Sequence, residues 1–162
     1  MEIELAWPLW ERRAALRLHW RALLAAAVVG GVAASGSALL LGWVFGLPQA
    51  VVLSLAPKSV TAPVAMGIAD KISGIPALAA VFAVVTGMVG ALSGKVLFDL
   101  LKIPTDAHGW MARGFSMGTA AHGIGAARAL QVNADAGAFA GLALGLQVVL
   151  ASLLIPLIFR LF

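Results

Sequence analysis

Three stretches without an ionisable side chain, Ala22 to Pro57, Ile72 to Gly94 and Ala136 to Phe159, set the strongest limit on what this chain can become. Each is longer than the roughly 20 apolar residues that an α-helix needs to cross the hydrocarbon core of a bilayer. Soluble domains are about a quarter charged, whereas these 162 residues are 11% charged and 62% hydrophobic. In lipid, backbone N–H and C=O groups must be satisfied inside the segment that carries them, which selects helices here. The sequence therefore predicts an all-α, polytopic transmembrane protein with a single domain over 1–162. Residues 1–21 form a basic and aromatic interfacial lead. Residues 22–162 form about five membrane segments, two of them discontinuous.

The basic residues are unevenly placed. Of 11 Lys and Arg, Arg12, Arg13, Arg17 and Arg21 precede the first apolar run, where Trp7, Trp10 and Trp20 suit the headgroup layer. The net charge of +4 thus reads as a topology signal, not as a nucleic-acid surface. If every segment spans, Lys71 joins the lead on the cytoplasmic side and Lys95, Lys102 and Arg160 lie opposite, so the N-terminus is expected inside. Under that assumption the two discontinuous segments run in the same direction and form no inverted pair, so either one is re-entrant or the symmetry partner is missing from this chain. The first apolar run is too long for a signal-peptide core, and no clear small-residue cleavage site follows. Without cysteine there is no disulfide frame, thiol nucleophile or thiolate metal site.

The first discontinuity is "PKSVTAP", residues 57 to 63. Two prolines bracket a lysine, and each ring removes a donor and clashes with the preceding turn, so no continuous helix passes through. A charged side chain at the centre of a membrane helix costs about 3 kcal/mol on insertion scales. Lys58 beside Ser59 and Thr61 in irregular backbone therefore points to a polar cavity, and half-helix N-termini facing it favour an anion. The second discontinuity is "GTAAHGIGAARA", residues 118 to 129. Gly118, Gly123 and Gly125 permit unwinding and close backbone approach. His122 can donate, accept or titrate, Arg128 can grip a carboxylate with two parallel bonds, and Thr119 shares the helical face of His122.

Other chemistries find little support. His19, His108 and His122 are far apart, and no acidic cluster joins them into a metal site. Asp70, Asp99, Asp106 and Asp135 lie near segment boundaries, as caps and loops do. "HGIGAA" is one glycine short of a dinucleotide turn, and no strand precedes it. Gly137, Gly141 and Gly145, spaced by four, form a stripe that lets another helix approach closely.

Longer stretches carry a resemblance. "LAPKSVTAPVAMGIADKISGIPALAAVFAVVTGMVGA", "ARGFSMGTAAHGIGAARAL" and "AGAFAGLALGL" are similar to the LrgB/CidB family of membrane proteins, which includes the LrgB-like half of plastid glycolate/glycerate translocators. The resemblance runs from Leu5 to Leu154. It implies a multi-pass protein of the bacterial inner membrane, with antiholin-like or holin-like control of murein hydrolases and autolysis. The plastid relatives imply carriage of small 2-hydroxy monocarboxylates, and bacterial members imply pyruvate-like solutes. The family's "PKSVT" falls on Pro57, Lys58, Ser59, Val60 and Thr61, and its "HGIG" on His122 to Gly125. Four positions depart from it: Ala62, Gly67, Ala121 and Ala126 stand where relatives have Thr, Glu, Ser and Thr, each removing a polar group. Relatives also carry further membrane helices ahead of "LAWPLWERR", so a misplaced start, a fragment or a partner supplying the rest is expected.

Two functions follow from these features. In a carrier, Lys58 and Arg128 attract the carboxylate, and Ser59, Thr61 and Thr119 meet its hydroxyl. His122 is then the proton-sensitive member, and Gly123 and Gly125 admit the solute to the backbone. In a pore-regulating subunit, the glycine stripe joins copies of the chain or an LrgA/CidA-like membrane partner. Enzyme activity is not expected, nor any cofactor beyond a coupling H+ or Na+.

Overall fold

The computed structural model describes residues 13–161; the part of the lead that contains Trp7, Trp10 and Arg12 lies outside them. Six helices follow in order: α1 (Arg13–Val44), α2 (Gln49–Leu55), α3 (Ala62–Lys71), α4 (Pro76–Leu100), α5 (Ala107–Val132) and α6 (Ala134–Leu161). Among the described residues there is no strand. Helices α1, α4 and α6 are long and apolar enough to cross a membrane. Their outer surfaces remain apolar and exposed, as at Val29 and Val32 of α1, Leu92 and Val96 of α4, and Leu153 and Leu157 of α6. Such a surface suits lipid rather than water.

Local chemistry sets the helix ends. Gly46 (φ 66°) closes α1, with its N–H donating to the Trp43 carbonyl and the Leu47 N–H donating to the Gly42 carbonyl. That paired pattern is favoured by a residue able to adopt positive φ. Pro76 opens α4 at a position where its missing donor is harmless. The Asp106 carboxylate accepts from the Gly109 N–H at 2.8 Å, and the Asn133 side-chain oxygen accepts from the Ala136 N–H at 3.0 Å. Each satisfies a donor that the first turn of α5 or α6 leaves free.

Contacts along the helices fix their directions. Leu23 and Ala27 of α1 share a cluster with Phe139 and Ala143 of α6, and Leu39 packs against a cluster containing Ile155, so α1 and α6 run parallel. The Gln147 amide fastens them by donating to the Ala27 carbonyl at 2.6 Å. On α4, methyl groups placed at Gly94, Gly90 and Gly87 would meet Met117, Ala121 and His122 in turn. The first part of α5 is therefore antiparallel to α4. Gly114 and Gly118 abut the backbone of Ala136 and Ala140, which makes that same part parallel to α6. Small residues at these crossings allow the close backbone approach on which helix association in lipid depends.

The two discontinuous segments double back. Eight residues of straight helix cover about 12 Å, yet a methyl group on Gly125 would lie 2.5 Å from the Met117 carbonyl oxygen. The chain reverses between them at His122, whose φ of 41° and ψ of −133° are not helical. Helix α5 is thus a hairpin whose first leg, to Ala121, is about 22 Å long and whose second returns from Gly123 to Val132. The other hairpin is α2 and α3. It leaves the end of α1, where Gly42 packs against Val52 and Leu55, and delivers the chain to the start of α4, where the Ile75 N–H donates to Ser54 Oγ at 2.7 Å.

Helix α4 runs opposite to α1, so the α2–α3 hairpin enters from the end where α1 finishes, and the α5 hairpin enters from the end where α1 starts. Three of the described helices are long enough and apolar enough to span, and the two interrupted segments lie where the sequence predicts them. The direction derived from five crossings is corrected. The interrupted segments approach from opposite sides, and Lys71 lies across the membrane from Arg13, Arg17 and Arg21, because a hairpin returns its chain to the face it left.

Candidate functional site at the hairpin tips

The two breaks meet. A methyl group on Gly123 would lie 4.0 Å from the Thr61 side-chain methyl, so the tip of one hairpin faces the tip of the other. The first tip spans residues 56–61, where Ala56, Pro57, Ser59 and Val60 are buried and Lys58 and Thr61 are half-buried. Ser35 Oγ of α1 steadies it by donating to the Ala56 carbonyl at 2.7 Å. Thr61 precedes α3 in extended conformation, and its side chain makes no capping bond. The Lys58 ammonium has no hydrogen-bond or ion-pair partner among the described residues.

The second tip is held differently. His122 is buried, and its ring nitrogen Nε2 lies 2.8 Å from the Ala83 carbonyl oxygen of α4. A carbonyl can only accept, so Nε2 carries the proton and donates. Gly87 makes room for the ring, since a methyl group there would come within 2.9 Å of it. One turn earlier, Thr119 is buried with its methyl against Gly30 of α1.

Among the described residues, the buried side-chain atoms without a partner are Ser59 Oγ, Thr119 Oγ1 and Arg113 Nε. Each such atom costs about 1–3 kcal/mol relative to a paired one, so a native structure keeps few of them. Two of these atoms belong to the residues that the sequence singles out. The helix ends add a further feature: the second legs, α3 and Gly123 to Val132, both begin at the tips. Each helix N-terminus presents free N–H groups and a partial positive charge.

Arg128 is elsewhere. It lies about 9 Å along the returning leg from His122, exposed, in a cavity of about 240 Å³ with Lys95, Asp99 and Arg113. The structure thus joins Thr61 to Gly123 and sets His122 beside them, while Gly125 packs inside its own hairpin and Arg128 faces a separate space. Of the α6 glycines, Gly137 packs on Leu130, Gly141 is half-buried, and Gly145 has nothing within 4 Å of a methyl group placed on it. Sequence reasoning passed over Arg113, which is buried between the rings of Phe98 and Trp110. The available signal was Trp110 three residues before an arginine inside a membrane segment.

Comparison with known proteins fits this architecture. A family model described as the LrgB-like family matches residues 2–161. An uncharacterized protein of Haemophilus influenzae is 31% identical over 159 residues, covering 98% of this chain and 67% of that protein. The uncharacterized protein YxaC of Bacillus subtilis is 30% identical over 160 residues, covering 99% and 68%. The holin-like protein CidB of Staphylococcus aureus is 28% identical over 158 residues, covering 98% and 67%. No solved structure matches the chain. A match over almost every residue, together with membrane helices of the kind found here, makes this chain a member of the LrgB-like family.

Proposed function

We propose that the chain carries small monocarboxylates such as glycolate, glycerate or pyruvate across the bacterial inner membrane, as a transporter and not an enzyme. The carrying observation is the meeting of two opposed hairpin tips at Thr61 and Gly123. Lys58 supplies charge, the unpaired hydroxyls of Ser59 and Thr119 supply hydrogen bonds, and two helix N-termini favour the carboxylate. The first legs end at the same tips, and their terminal carbonyls suit a coupling H+ or Na+. The units α2–α3–α4 and α5–α6 each consist of a hairpin followed by a spanning helix, in opposite directions. Alternating access in secondary transporters commonly uses such inverted units. In this scheme His122 pins one tip to α4 and is a positioning residue.

The N-terminus is assigned to the cytoplasm. Arg13, Arg17, Arg21, Lys95, Lys102 and Arg128 gather at the end where α1 starts, against Lys71 and Arg160 at the other, and cytoplasmic ends collect such residues. The test is uptake of radiolabelled glycolate and pyruvate into proteoliposomes. Saturable uptake that falls at least tenfold in Lys58→Ala is expected. Uptake equal in that variant, at equal folded protein, would overturn the tip site.

The name of the CidB relative favours a second reading, an antiholin-like or holin-like subunit that regulates murein hydrolases by assembling with its own kind or with an LrgA/CidA-like partner. Gly145 on α6 leaves room for such a neighbour. This reading expects Gly141→Leu to abolish assembly on a sizing column and to alter autolysis, with Lys58→Ala silent in both. An unchanged oligomer in Gly141→Leu would count against it.

A further inference from the structure

The cavity that holds Arg128 carries chemistry that the tip site does not use. Its charged lining is Lys95, Arg113 and Arg128 against Asp99. Asp99 is already shared, accepting from Lys95 at 2.6 Å and from Arg113 Nη2 at 3.2 Å. Arg113 is only 8% exposed, yet its remaining described bond runs from the same Nη2 to the Ile103 carbonyl. Nε of Arg113 is buried without a partner, and Nη1 forms no hydrogen bond among the described residues. Arg128 is equally underused: its described bond is a 3.4 Å contact with Gln131.

A buried guanidinium is strongly favoured when an oxyanion completes its set of donors, because the planar fork fits two oxygens and little water competes. Among the described lining residues one carboxylate faces three cations, which leaves two positive charges in excess around one space. The rest of the wall is apolar, formed by Phe98, Trp110, Met117 and Val132. The cavity also sits at the membrane end that gathers the basic residues, where basic pockets between helices hold anionic headgroups.

We propose that this cavity binds the oxyanion head of an amphiphilic anion, with Arg113 and Arg128 on the oxygens, Lys95 at the entrance and the aromatic wall against the apolar part. The site is separate from the hairpin tips and stands whether or not they carry a solute. Two sources share this chemistry, an anionic lipid headgroup and a soluble fatty carboxylate.

The test titrates the purified protein in a zwitterionic detergent with dioctanoyl phosphatidylglycerol, octanoate and, as control, dioctanoyl phosphatidylcholine, by microscale thermophoresis. At least one anion is expected to bind, with affinity lowered about tenfold by Arg128→Gln. Lys95→Gln should weaken binding in the same sense. Both altered side chains in the cavity are exposed, so folding is not at issue. Binding of phosphatidylglycerol alone identifies a lipid site, and binding of octanoate identifies a soluble ligand. The proposal falls if neither anion binds more tightly than phosphatidylcholine, or if Arg128→Gln and Lys95→Gln both bind like the parent.

Discussion

The two hairpins reach the middle of the molecule by different means. The first turns through six irregular residues, with Pro57 and Pro63 shaping the bend and Lys58 carrying a charge that nothing described neutralises. The second turns at one residue, His122, held at a positive φ and hydrogen-bonded to α4. Their surroundings differ in the same way. Gly114 and Gly118 of the second hairpin press against α6 backbone, whereas Gly67 on the returning leg of the first has nothing within 4 Å. One tip is broad and holds the charge; the other is tight and fixed to a spanning helix. A site assembled from such a pair has one wall that sets geometry and another that supplies electrostatic attraction.

Side chains added at the glycines should break this contrast most strongly. Gly118→Val drives a branched side chain into the Ala140 carbonyl. Backbone at that crossing yields little, and overpacking costs about 1–3 kcal/mol or more. Folded protein recovered by fluorescence-detected gel filtration should fall severely, while Gly67→Val should be recovered close to the parental level. Equal recovery of the two variants would mean that the second hairpin is not the tightly packed one.

A smaller effect separates strain from bonding at His122. A non-glycine residue in such a conformation stores about 1–3 kcal/mol, and the buried bond to Ala83 returns about 1 kcal/mol. His122→Ala loses the bond and keeps the strain; His122→Gly loses the bond and relieves it. The glycine variant should therefore unfold at higher temperature than the alanine variant, by about 1 kcal/mol in stability. The reverse order would show that the reversal does not strain the backbone.

Much of this was legible in the sequence. The uncharged runs gave the three spanning helices, and the prolines of "PKSVTAP" and the glycines around His122 marked both breaks. What hydropathy does not contain is whether a broken segment crosses or returns, since either path buries the same side chains. The common direction holds only if every segment crosses, and once the broken segments return Lys71 changes faces with them. Arg128 was grouped with Lys58 because both stand near a break, but a tight reversal sends the following residues back along their own hairpin. Only the fold shows that Gly87, Gly90 and Gly94 receive His122, Ala121 and Met117.

The central claim is that the two tips meet and that solute passes between them, and the chain's lack of cysteine allows a clean test. Thr61→Cys and Gly123→Cys, combined in one chain in proteoliposomes, should form an intramolecular disulfide on oxidation, because a methyl group on Gly123 would lie 4.0 Å from the Thr61 side-chain methyl. The disulfide should stop glycolate or pyruvate uptake, and reduction should restore it, whereas oxidation should leave the uptake of each single variant where it was. Absence of the disulfide, or uptake that continues undiminished through it, would contradict the account.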